Sequence, residues 1–65
     1  MLPHQQRVIE ELAELDKKIE RLHEFNVGAI FLTLSEDDKR LLRNQLRVMR
    51  EYAAILRERI QNFKP

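Results

Sequence analysis

Arg40, Arg43, Arg47, Arg50 and Arg57 recur at steps of three, four, three and seven, which lines five guanidinium groups along one stripe of a helix. Lys17, Lys18 and Arg21 form a second basic cluster earlier in the chain, and Arg59 stands near its end. Guanidinium forks match carboxylates and phosphates equally well. The stripe can therefore pair with the chain's own acids or take an anionic ligand, and both readings stay open at this level. Glu10, Glu14, Asp16, Glu20 and Glu24 are the acids within its reach, inside one chain or between copies.

Other reactive chemistry is sparse. Serine occurs once, at Ser35, and threonine once, at Thr33, and neither has a histidine beside it in sequence. Cysteine is absent. His4 and His23 stand nineteen positions apart with no thiolates near, which does not make a zinc site within one chain. Gly28 stands alone and is no phosphate loop. Met49 reads as core filler, and Tyr52 as an interface residue with its hydroxyl at the edge. The expectation is binding without catalysis, and without a metal or cofactor.

Two helices must position these groups. Val8, Leu12, Leu15, Ile19 and Leu22 alternate steps of four and three, and so do Leu42, Leu46, Met49, Ala53, Leu56, Ile60 and Phe63. That spacing draws apolar side chains into a seam. Pro3 suits a first helical turn, so the first helix is expected from about Pro3 to Phe25, with Asn26, Val27 and Gly28 as its stop through a left-handed residue. A short helical turn over Ala29–Leu34 plugs the end with Phe31 and Leu34. Ser35 caps a second helix from Glu36 to Gln61 or Phe63, with Glu36, Asp37 and Asp38 on its positive end. So short a connection makes the helices antiparallel. The fold class is all-α, an antiparallel two-helix hairpin forming one domain over residues 1–65.

Leu41, Val48, Tyr52 and Ile55 flank the second seam and make its apolar face too wide for one partner helix. A chain of 65 residues buries only about 60% of its unfolded surface, and disulfides cannot help it. Self-association into a homo-oligomeric helical bundle is the remaining route to stability. Charge is segregated as well: six acids against three bases between Glu10 and Glu24, seven bases against two acids from Lys39 to Arg59. In a hairpin the end of the second helix lies beside the start of the first. Arg59 then falls near Arg7 and His4, and meets Lys18 only across a subunit boundary.

The net charge of +1 does not mark a nucleic-acid binder, and the acidic first helix would repel a DNA or RNA backbone. The longest apolar run, Ala29 to Leu32, is too short for a bilayer. The N-terminus lacks a secretory pattern. A soluble cytosolic protein is expected.

Particular residues add a resemblance. The run His4-Gln5-Gln6-Arg7-Val8, then Glu11, Leu15, Asp16, Lys18 and Leu22-His23-Glu24-Phe25, is similar to the start of a small bacteriophage family. Leu41-Leu42, Gln45-Leu46, Met49, Tyr52, Leu56 and Arg59-Ile60 continue the likeness over nearly the whole chain. These are the anti-CBASS proteins, cyclic-oligonucleotide sponges that phages use against bacterial immunity. The resemblance implies a compact homohexamer in the cytoplasm of the infected host. It also implies pockets between protomers for cyclic dinucleotides and separate ones for cyclic trinucleotides, sequestered intact. Lys18 matches a lysine of the family's first helix, and Arg59 an arginine before a late isoleucine. His4 holds a place where the family commonly has an aromatic residue, often tyrosine. Imidazole stacks less well than phenol, so base stacking there is weaker or comes from another residue. His4, Arg7, Lys18 and Arg59 are the expected ligand-binding residues. The rival reading is a structural or adaptor hairpin whose basic stripe serves self-assembly or a protein partner. A small helical enzyme is a distant third.

Overall fold

The computed structural model describes residues 2–64. Within them the chain forms α1 (Pro3–Asn26), the single turn α2 (Ala29–Leu32) and α3 (Glu36–Gln61). α1 opens with Pro3 in its first turn, where the missing N–H has no helical partner to lose. The Gln5 side chain reaches back to accept from the Leu2 N–H at 3.1 Å. α3 opens on Ser35, whose hydroxyl oxygen accepts from the Asp38 N–H at 3.1 Å. Glu36, Asp37 and Asp38 fill its first turn and oppose the helix dipole. Its end is Gln61, so Phe63 packs on the core from beyond the helix.

α1 stops where the sequence places it, at Asn26 and Val27, but not through a left-handed residue. No described residue has positive φ. Asn26 stays helical as the last residue of α1, and its side-chain NH₂ donates to the Leu42 carbonyl at 3.3 Å, tying α1 to α3. Val27 closes the helix by donating to the His23 carbonyl at 3.2 Å. Gly28 is extended, with φ −90° and ψ 171°, and caps α2. A left-handed residue is unnecessary because α2 follows at once and the chain needs no reversal of hand here.

The two seams meet. Val8, Leu15, Ala53 and Leu56 form the buried cluster, with Leu12, Ile19, Met49, Ile60 and Phe63 packed against it. Phe31 is buried at the closed end, the plugging role that its place in the connection gave it. The result is a rod of 49 × 14 × 13 Å. Its radius of gyration of 15.0 Å exceeds the ~11 Å of a globular domain of this length. A rod two helices thick covers only one face of each helix. Leu41, Val48, Tyr52 and Ile55 remain 41–55% exposed, as the width of the α3 apolar face required of a lone hairpin. Val27, Ile30 and Leu32 at the tip are barer still, at 65–73%. No helix among the described residues is long and apolar enough to cross a membrane.

Candidate functional site

The four expected ligand residues divide between two levels of the rod. His4 and Arg7 are exposed on the first two turns of α1. Arg59 is exposed in the last turn of α3, at the same end, and its charge is felt by Tyr52. Lys18 is exposed on the second half of α1. Two contacts across the hairpin, Tyr52 with Glu11 and Arg57 with Asp16, set the register. Midway between them, Arg59 lies level with Ile9, nine residues before Lys18, or about 13 Å along the axis. Lys18, Arg59, Arg7 and His4 enter no ion pair among the described residues, whereas Lys17 pairs with Glu14 at 3.5 Å.

Within one chain, the arginine stripe does not pair with α1 as the ion-pair reading anticipated. Arg57 alone reaches an acid of that helix, donating to both Asp16 oxygens at 2.8 and 2.7 Å. Arg40 turns to Asp37 at 2.8 Å, and Arg47 to Glu51 at 2.8 Å, both along α3 itself. Acids three and four residues away on the same helix need no cross-hairpin reach, so they win. Arg43 instead lies over the Phe31 ring, 5.7 Å from its centroid. Arg50 makes one side-chain hydrogen bond among the described residues, with His23 Nδ1 at 3.4 Å. Sequence reading placed both in the stripe but missed their neighbours, because Phe31 and His23 reach them only through the fold.

Those two arginines flank an open cleft of about 710 Å³ near the closed end of the rod. Its walls include His23, Phe31, Arg43, Leu46, Arg50 and Ala54. Among the described residues no group of three or more histidine, cysteine or acidic side chains could hold a metal ion.

Tyr52 holds the other end together. Its hydroxyl donates to Glu11 Oε2 across the hairpin, so the sequence reading of an edge hydroxyl becomes a cross-helix tie. The hydrogen bond to Glu11, then desolvation and the carboxylate's charge, push its pKa above 10.0, against a small opposing pull from Arg59. A phenol whose folded pKa is raised gives stability that is full below the unfolded pKa and lost as pH climbs through the folded value. The melting temperature is therefore expected to fall above about pH 10 more steeply than in Tyr52→Phe. Tyr52 is the only tyrosine and the chain has no tryptophan, so tyrosinate absorbance reads the titration directly. Parallel melting curves for the two proteins would remove the tie.

Residues 2–62 match the family described as Sequestin. The chain belongs to the Sequestin family. Its members are grouped under a name that denotes holding a molecule, which accords with binding in place of catalysis. The chain is 44% identical over 64 residues to an uncharacterized 7.5 kDa protein in the denB-rIIB intergenic region of Enterobacteria phage T4. The alignment covers 98% of this chain and 100% of the phage protein. No solved structure matches the chain.

Proposed function

We propose that this Sequestin protein is a cyclic-oligonucleotide sponge. It holds cyclic dinucleotides, and in separate pockets cyclic trinucleotides, between copies of itself in the cytoplasm of a phage-infected bacterium, without cleaving them. The loss of free messenger silences CBASS-type signalling. The observation that carries this reading is the pairing of membership in a family named for sequestration with exposed cations that one hairpin cannot bring together. Lys18 and Arg59 lie on different levels of the rod, and the uncovered Leu41, Val48, Tyr52 and Ile55 give a second copy apolar surface to cover. A symmetric interface presents each cation twice. A cyclic dinucleotide presents two phosphodiesters about a two-fold axis, so the two symmetries agree, and a hexamer of three dimers would supply three-fold sites for a trinucleotide.

The test is the cargo. The protein is incubated with cyclic di- and trinucleotides, freed of unbound ligand and digested, and the released nucleotide is identified. Intact nucleotide carried by a particle whose light-scattering mass is a multiple of 7.9 kDa is the expected result. Linear product would make the protein an enzyme. A multimer with nothing bound would leave the adaptor reading.

A further inference from the structure

We propose that the cleft at the closed end of the rod is a second binding site, complete within one chain, for a phosphate-bearing ligand with a flat base, of the nucleoside monophosphate class. This goes beyond the sponge reading, whose cations lie elsewhere and whose pockets need two copies.

The argument starts from which cations are already satisfied. Of the arginines on the cleft wall, Arg47 spends its charge on Glu51 at 2.8 Å and is held by Asn44 Oδ1 at 2.6 Å. Among the described residues Arg43 and Arg50 pair with no carboxylate. They stand seven residues apart on one face of α3, about 10 Å along its axis. Glu51 also lines the cleft, but Arg47 meets its charge, and the two remaining guanidinium groups leave the cleft net positive and draw an anion into it.

The second requirement, a flat apolar ring, comes from how Arg43 is held. One face of its guanidinium lies toward the Phe31 ring, 5.7 Å from the centroid. Phe31 is only 6% exposed, so the ring is a fixed platform at the cleft wall. Arg43 is itself exposed and lines the cleft, so its guanidinium is within reach of a ligand there. A base stacked there completes a layer of ring, cation and ring, while the N–H edges of the same group stay free for phosphate. Leu46 and Ala54 supply the apolar wall beside it. Arg50 closes the phosphate end, and His23 Nδ1 at 3.4 Å orients it. Bare phosphate uses the forks but not the stack, and a nucleoside uses the stack but not the forks. Neither half fills the site.

The experiment is an NMR titration of the full chain with adenosine 5′-monophosphate, and in separate arms with inorganic phosphate and with adenosine. The monophosphate is expected to shift the signals of Arg43, Arg50, His23 and Ala54 and to bind about ten-fold or more tightly than either fragment. Arg43→Ala and Arg50→Ala should each weaken it by about ten-fold. Arg43→Lys should not restore it, since an ammonium keeps the charge but loses the plane. Both arginines are exposed, and only Arg43 stacks on Phe31 among the described residues, so the Arg50 variant reports on the site even if the first disturbs Phe31. Lys18→Ala should leave these shifts intact while removing cyclic dinucleotide, which keeps the two sites' outcomes apart. Absent shifts in the cleft, equal affinity for phosphate and monophosphate, or full rescue by lysine would each overturn the proposal.

Discussion

Leu56→Ala is expected to unfold the isolated hairpin. Leu56 has 0% exposure and is the one large side chain fully buried among the described residues. It sits in the cluster with Val8, Leu15 and Ala53. Truncating a buried leucine costs about 2–5 kcal/mol, through lost transfer energy and the cavity left behind. A single core in a chain of this size supplies no more than about 3–5 kcal/mol, so the loss takes most of what there is. Far-UV circular dichroism at low concentration should show the helical signal collapse, with partial return as concentration rises and sister chains add buried surface. The neighbouring Ile55→Ala is the control. Ile55 is 55% exposed in the single chain, so the hairpin itself should change by no more than about 0.5 kcal/mol. A larger effect there has to come through assembly, and light scattering would show it as lost mass. Wild-type melting of Leu56→Ala at every concentration would mean that the α1–α3 seam is not where stability resides.

The contrast between those neighbours marks what could be read without coordinates. Every position of the two seams, from Val8 to Leu22 and from Leu42 to Phe63, is buried or half-buried in the fold. The 3.6-residue period decides that before any tertiary contact is known. Caps were equally legible at Pro3 and Ser35, because each acts within one turn. The α1 stop falls at Asn26 and Val27 as expected, and only its left-handed conformation differs, for a related reason. Asn26 and Gly28 each permit a left-handed conformation, but permission is not requirement, and the immediate start of α2 made extended backbone at Gly28 sufficient.

Side-chain partners across the hairpin were not legible, since they depend on axial register and long flexible stems. Tyr52 reaches Glu11, Arg57 reaches Asp16 and Arg50 reaches His23, spanning offsets in register that no spacing rule fixes. The cleft went unseen for the same reason. Its cations were visible as a stripe, but its far wall, with His23 from α1 and Phe31 from α2, is brought to them only by the fold. The bare tip residues Val27, Ile30 and Leu32 were also outside the sequence reading, which confined surplus apolar surface to α3.

Lys18→Ala is expected to abolish or greatly weaken cyclic dinucleotide binding while leaving helicity and particle mass unchanged. The side chain is exposed and joins no ion pair among the described residues, so the hairpin should keep its fold when it is removed. Its nearest acidic candidate along the helix, Glu14, is taken by Lys17. The ammonium is thus available to a phosphodiester, and a two-fold interface would bring its mate to the other one. Removing one partner of a desolvated charge contact costs about 2–5 kcal/mol, a loss of roughly thirty-fold to several thousand-fold in affinity. Calorimetry at fixed ionic strength measures it, with Lys17→Ala as the neighbour that should bind normally. Arg59→Ala separates two assemblies: if Lys18 and Arg59 of different copies line one pocket, both variants lose the dinucleotide. If Arg59 serves the trinucleotide pocket, its loss spares the dinucleotide and removes only the larger ring. Unaltered dinucleotide affinity in Lys18→Ala would take the cation out of the site and return the basic surface to self-assembly.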